Sequence, residues 1–141
     1  MIKKASSLNE VQKICDLDKK LFPDSYYNIE QLIKMYSDKN YLFYIFKNNN
    51  NVDGYIIALN LKKEIEIIKI GVNPECQGQG IGSQLINEIK NMHIPIFLEV
   101  NHHNENAIKF YKYHGFEEIG RRKNYYPDLG DAIILKFVEV V

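Results

Sequence analysis

The segment Val72-Asn73-Pro74-Glu75-Cys76-Gln77-Gly78-Gln79-Gly80-Ile81-Gly82 holds the residues whose types and spacing could best do chemistry. Its glycines fall where a β-branched apolar run gives way to a helical pattern. The first turn of a helix has amide N–H groups without internal partners, and the helix dipole adds positive potential there. Glycines remove the Cβ atoms that would keep a ligand away from those amides. The combination makes a cradle for a phosphate or diphosphate. No Gly-Lys-Ser/Thr follows, so this is not a P-loop. Ser83 stands where a dinucleotide fingerprint needs its third glycine. A plain glycine-rich turn is the simpler alternative; the Gln77-x-x-Gly80-x-Gly82 spacing at a strand-to-helix corner favours anion binding over it.

A second group follows: Leu98-Glu99-Val100, Asn104, Ala107-Ile108, Tyr111 and Gly115-Phe116. Glu99 ends an otherwise apolar strand, where a buried carboxylate is costly without a partner. It would equally suit a strand end facing solvent, and only the nearby glycine corner tips the reading towards function. Asn104 suits a helix N-cap that could also touch a ligand, and Tyr111 suits a core aromatic. Cys76 has no evident base to make it a nucleophile. His93, His102, His103 and His114 match no metal spacing, so no metal is expected. Arg121-Arg122-Lys123 reads as a solvated strand face, or as a contact for an acidic peptide.

The elements that must position these groups can be read from periodicity. Ile2 to Ala5 opens as a strand. Ser7 and Glu10 fit a capping box, and Leu8, Val11, Ile14 and Cys15 give a helical face that Pro23 ends. Ile29, Leu32, Ile33 and Tyr36 suggest a second helix. Strands are expected over Tyr41–Lys47, Tyr55–Leu61 and Glu64–Val72, the first two joined by a loop from Asn48 to Gly54. A helix follows from Ile81 through Met92. Ile94 to Val100 reads as a strand buried on both faces. A helix from Asn104 to His114 and strands over Phe116–Tyr126 and Ala132–Val141 complete the order β-α-α-β-β-β-α-β-α-β-β. That is a mixed αβ domain, not the regular βαβ alternation of a dinucleotide fold.

The chain has 141 residues, with 18 basic and 18 acidic side chains. The size suits one domain over residues 1–141, and the balanced charge argues against a nucleic-acid binder or a polybasic membrane handle. No apolar run approaches the roughly 20 residues of a membrane span. The N-terminus has no apolar secretory stretch, and Cys15 and Cys76 read as reduced thiols, which suits the cytoplasm.

Gln77-x-x-Gly80-x-Gly82 resembles the coenzyme A signature of the GNAT acetyltransferase superfamily, and the element order matches that fold along nearly the whole chain. The resemblance implies an α+β fold with a mixed, mostly antiparallel sheet of about seven strands and helices on both faces. It implies that Gln77, Gly78, Gln79, Gly80, Ile81 and Gly82 hold the pyrophosphate of acetyl-coenzyme A. Backbone groups of Ile70, Gly71 and Val72 would line the pantetheine and acetyl group. The Leu98-Glu99-Val100 group, together with Gly120-Arg121-Arg122-Lys123-Asn124-Tyr125-Tyr126-Pro127 and Asp131-Ala132, is similar to the RimI-type ribosomal-protein N-terminal acetyltransferases. By that likeness Glu99 is the general base, Asn104 a cofactor ligand and Tyr111 the general acid, while Tyr125, Tyr126 and Asp131 border the peptide. Some GNAT enzymes carry the base on the earlier strand, which makes Glu66 the rival to Glu99. Three positions depart from the RimI-type pattern: Asn101 replaces an arginine, Gly130 replaces an acid, and Phe22-Pro23-Asp24-Ser25 lacks an aromatic third residue.

The expected reaction is direct acetyl transfer to a protein N-terminus, a small-subunit ribosomal protein being the implied acceptor. The chain is expected to be a monomer or weak dimer. The alternatives are a GNAT enzyme for a small-molecule amine or lysine, and a non-catalytic acyl-coenzyme-A-binding module.

Overall fold

The computed structural model describes residues 1–139. Ser7 opens helix α1 (Leu8–Leu21), its hydroxyl accepting the Glu10 N–H at 3.2 Å. Such a cap is worth about 1 kcal/mol. Glu10 does not return the favour to Ser7. It is buried, accepts from the Ser6 N–H at 2.8 Å, and lies between the Lys3 and Lys47 ammonium groups at 2.8 and 2.9 Å. Burial pushes its carboxyl up, but the two lysines and Ser6 outweigh that and hold it at about 2. The complete capping box belongs to helix α2 (Ile29–Tyr36), between Asn28 and Gln31.

The chain continues through β2 (Tyr41–Asn48), β3 (Asn51–Asn60), β4 (Ile65–Val72), a 3₁₀ turn (Pro74–Cys76), α3 (Ile81–Lys90), β5 (Ile96–Asn101), α4 (Glu105–Tyr113), β6 (Glu117–Arg122) and β7 (Ala132–Phe137), after an initial β1 (Ile2–Lys4). The seven strands form one mixed sheet in the order β1-β2-β3-β4-β5-β7-β6. Contacts divide the chain into two compact units, Met1–Asn60 with Ile67–Met92, and Leu61–Glu66 with His93 onward.

In the first unit β1–β2 and β2–β3 are antiparallel. Successive strand residues point to opposite faces. Phe43, Ile45, Tyr55 and Ile57 join Val11, Ile14 and Leu17 of α1 and Leu32 of α2 in one cluster. Each fully buried aliphatic side chain contributes about 1.5–3 kcal/mol. On the opposite face a Cβ at Gly54 would lie 2.6 Å from Ile81 and 3.3 Å from Leu85, so the missing side chain lets α3 seat against β3. Helices therefore cover both faces, as the resemblance implied.

In the second unit Ile65 and Glu66 pair in parallel with Ile96 and Phe97. β5–β7 and β6–β7 are antiparallel, with a register shift between Glu118 and Gly120. Tyr111 of α4 packs edge-on against Phe116 at 5.4 Å, and Phe116 meets Phe137 at 5.6 Å.

Three boundaries and one burial pattern are the main differences from the sequence reading. The first hairpin is tighter, because Asn49 takes a left-handed φ of 55° and β3 starts at Asn51. β5 is not buried on both faces: Ile96, Leu98 and Val100 are buried, while Phe97, Glu99 and Asn101 are half-buried. β6 ends at Arg122, which leaves Tyr125 and Tyr126 in a loop. β7 ends at Phe137, and residues 140 and 141 of the expected last strand lie outside the described residues.

Candidate active site

In the first unit Ile70, Gly71 and Val72 form the end of β4, and the 3₁₀ turn leads into Gln77–Gly80. Gly78 and Gly80 have φ of 84° and 79°, a region other residues enter only under strain. A Cβ at either would meet nothing within 4 Å, so the backbone there borders open space. Gly80 caps α3 with no side-chain hydrogen bond to its first turn. The first turns of α1, α2 and α4 carry Glu10, Glu30 and Glu105, whereas that of α3 carries no acid. Its dipole is thus the one that no first-turn carboxylate offsets, which fits a diphosphate-bearing ligand. Ile81 is itself core, with its side chain on Gly54, so it could serve a ligand only through its backbone. Gly71 has a packing reason of its own: a Cβ there would lie 2.6 Å from the Tyr55 ring and 2.7 Å from Leu21.

Cys76 lies in the same turn, beside a cleft of about 510 Å³ lined by Lys13, Asp16, Lys20, Asp53 and Asn73. Desolvation and the Asp53 carboxylate push its thiol up, away from nucleophilic thiolate.

A network that no local sequence pattern announces fixes residues 22–27. Asp18 is fully buried and accepts from the Tyr55 hydroxyl at 2.5 Å and the Tyr27 N–H at 2.8 Å. Lys69 pairs with it at 3.0 Å, donates to the Ser25 carbonyl at 2.8 Å, and lies 4.5 Å from the Phe22 ring centroid. One β4 lysine thereby pins the segment after α1 by charge and by cation–π contact. Asp18 and Lys69 are 51 positions apart, so no local pattern could announce the pair.

In the second unit Glu99 projects from β5 with its side chain 20% exposed. Its Oε1 is ion-paired with Arg122 Nη2 at 3.3 Å. Its Oε2 is buried and, among the described residues, has no hydrogen-bond partner. Glu66 lies close by: burial, then the Glu99 charge, push its carboxyl up, against the lowering effect of Arg122. The Tyr126 phenol is raised by burial and then by the same Glu99 charge. Arg122 stacks over the Tyr125 ring at 5.4 Å. The second unit thus groups Glu99, Glu66, Arg122, Tyr125 and Tyr126. Arg122 is exposed, as expected of a solvated strand face, and also pairs with Glu99; that partner is set by the register of β6, β7 and β5, which sequence does not display.

Asn104 caps α4, accepting the Ala107 N–H at 3.2 Å. Tyr111 is buried, and burial pushes its phenol well up, so it is protonated at neutral pH. Asp131 is buried and accepts the Asn124 N–H at 3.1 Å, with Arg121 and Lys123 at 3.7 and 3.5 Å. It organises the β6–β7 loop that carries both tyrosines. All three basic residues of this stretch face carboxylates, so no uncompensated basic patch results. Among the described residues no group of three His, Cys, Asp or Glu could hold a metal ion.

Comparison with known proteins bears on this arrangement. The model of the acetyltransferase (GNAT) family matches residues 8–116. The chain belongs to the GNAT acetyltransferase family. GNAT enzymes use acetyl-coenzyme A, and the glycine corner described above lies inside the matched region. This GNAT chain is 38% identical over 76 residues to the N-alpha-acetyltransferase RimI of Mycobacterium tuberculosis, covering 52% of the chain and 48% of that protein. It is 33% identical over 103 residues to the [ribosomal protein bS18]-alanine N-acetyltransferase of Escherichia coli, covering 67% and 70%. It spans about a fifth to a half of the length of the mycobacterial relatives it matches. The crystal structure of the Escherichia coli ribosomal-protein-S18-alanine N-acetyltransferase superposes with a TM-score of 0.86 at 23% identity, over 100% of this chain and 96% of that one, and so shares the GNAT fold. No helix among the described residues is long and apolar enough to cross a membrane.

Proposed function

We propose that this chain transfers an acetyl group from acetyl-coenzyme A to the α-amino group of a protein N-terminus, with a small-subunit ribosomal protein as acceptor, in the cytoplasm. The supporting observation is the half-buried Glu99 carboxylate, ion-paired with Arg122 at 3.3 Å through Oε1 and, among the described residues, without a hydrogen-bond partner at Oε2. Acetyl-coenzyme A would supply the acetyl group as an activated thioester. Residues Gln77–Gly82 are proposed to hold its diphosphate through backbone amides, and Ile70, Gly71, Val72 and Asn104 to complete its binding.

The nucleophile must be a neutral amine. An α-amino group has a reference pKa of about 7.7–8.0, against about 10.4 for lysine. A carboxylate base removes its proton more readily, which favours an N-terminal acceptor. Glu99 takes that proton, directly or through water, and Tyr111, kept protonated by burial, returns one to the leaving group. Tyr125 and Tyr126 border the acceptor, and Asp131 acts by holding their loop. Similarity to the bS18-alanine acetyltransferase of Escherichia coli supports the choice of acceptor.

The test is turnover. Purified chain is given acetyl-coenzyme A with ribosomal N-terminal peptides, lysine peptides and polyamines, and thiol release is followed. Release with N-terminal peptides is expected. Release with lysine or polyamine alone would reassign the acceptor, and tight cofactor binding without release would make the chain a binding module.

A further inference from the structure

The geometry points to Arg122 as a positioning residue: its guanidinium pairs with Glu99 Oε1 at 3.3 Å and so fixes the orientation of the carboxylate read as the base. This rests on the reading of Glu99 as the base. A carboxylate has two equivalent oxygens on a rotating bond, and a base must offer one of them in a fixed direction. Arg122 removes the ambiguity. It is the last residue of β6, and its register partner Ala132 on β7 is also the partner of Asn101 on β5. Glu99 lies two residues from Asn101, on the same face of β5. The Tyr125 ring, 5.4 Å from the guanidinium carbon, holds the arginine from the loop side.

The groups around Glu99 make this tether necessary. Glu66 from β4 presents a like charge, Arg122 from β6 is the cation, and the Tyr126 phenol closes from the β6–β7 loop. From β7 the residue opposite Glu99 is the uncharged Ile134, and Lys136 is paired with Glu64 at 3.7 Å. The two carboxylates repel each other. Arg122 offsets that repulsion while it orients Glu99.

Arg122→Gln and Arg122→Lys separate the two effects. Removing the cation favours the protonated form of the pair, so in Arg122→Gln the acid limb of the kcat/KM profile moves up by about one pH unit. Its kcat at neutral pH falls about tenfold or more. Arg122→Lys keeps the charge and loses the planar fork, so the acid limb stays within a few tenths of wild type while kcat still falls. In the cofactor-free chain, carbon-13 NMR of the glutamate carboxyls should show the same upward titration shift in Arg122→Gln, with an unchanged amide spectrum away from β5 and β6. A wild-type profile and kcat in Arg122→Gln, or a loss confined to acceptor KM, overturns the assignment. Wild-type chain that turns over no amine defeats the base reading itself and this role with it. That outcome is recognisable because the wild-type control is silent.

Discussion

A methyl group at Gly130 would overlap the side-chain amide of Asn101. Asn101 and Gly130, two of the three places set apart from the RimI-type pattern in the sequence reading, are therefore one structural event. Asn101 donates to both Asp128 oxygens at 3.0 and 3.1 Å, and its Oδ1 accepts the His103 N–H at 3.0 Å. The Gly130 N–H donates to Asp128 Oδ1 at 2.8 Å. This cluster, with His103 on Asp128 at 3.1 Å, holds the Asp128 carboxyl at about 2 and fixes the loop after Tyr126. Gly130→Glu alone is expected to lower the melting temperature and the turnover. Gly130→Glu with Asn101→Arg should recover part of both losses, because the pair in contact is coupled by about 0.5–3 kcal/mol. A double-mutant cycle by thermal melts measures it, and strict additivity would show the positions to be independent.

Glu99→Gln removes the proposed proton acceptor while keeping the shape that Arg122 binds. Its kcat at neutral pH should fall by about 10²–10⁴, the usual contribution of a positioned base. Acetyl-coenzyme A affinity, measured by calorimetry, should stay within about twofold of wild type. An unchanged kcat would move the base to Glu66 or to water.

Tyr111→Phe deletes one hydroxyl from a ring that keeps its contacts with Phe110 and Phe116. Burial already holds that phenol protonated, so the variant loses a donor and not a charge. A fall in kcat of about 10²-fold or more is expected with little change in melting temperature. Equal kcat would make Tyr111 a core aromatic only.

Gly80→Ala places a Cβ at φ 79°, where nothing in the protein obstructs it. The backbone strain alone costs about 1–2 kcal/mol. The methyl group also enters the open space beside Gly80, where the diphosphate is proposed to bind, so coenzyme A affinity should drop about tenfold or more, a loss of at least about 1.4 kcal/mol. Calorimetry on the apo chain reads this without turnover. Undiminished binding would place the diphosphate elsewhere.

Glu10 predicts how the fold responds to acid. Its folded value of about 2 lies below the ordinary 4.5, so its ion pairs contribute stability that is fully present above pH 4.5 and lost as pH falls towards 2. The loss is about 1–3 kcal/mol over that window. Glu10→Gln should be less stable than wild type at pH 7, and the gap should close as pH approaches 2. Denaturant melts at several pH values check this, and a gap independent of pH would deny the linkage.

Composition, turn residues and periodicity were enough to determine the order of elements, the glycine corner and the N-caps at Ser7 and Asn104. These are local properties: a positive φ, a missing Cβ or an unpartnered first-turn amide is set by residues within a few positions. The pairings that give the acidic residues their character were decided only by the tertiary structure. Arg122 reaches Glu99 through the register of three strands, and Glu66 comes beside Glu99 because β4 and β5 run parallel there. Lys69 meets Asp18 across 51 positions. Charge interactions depend on distance in space and on burial, and neither is written into the spacing of residues along the chain.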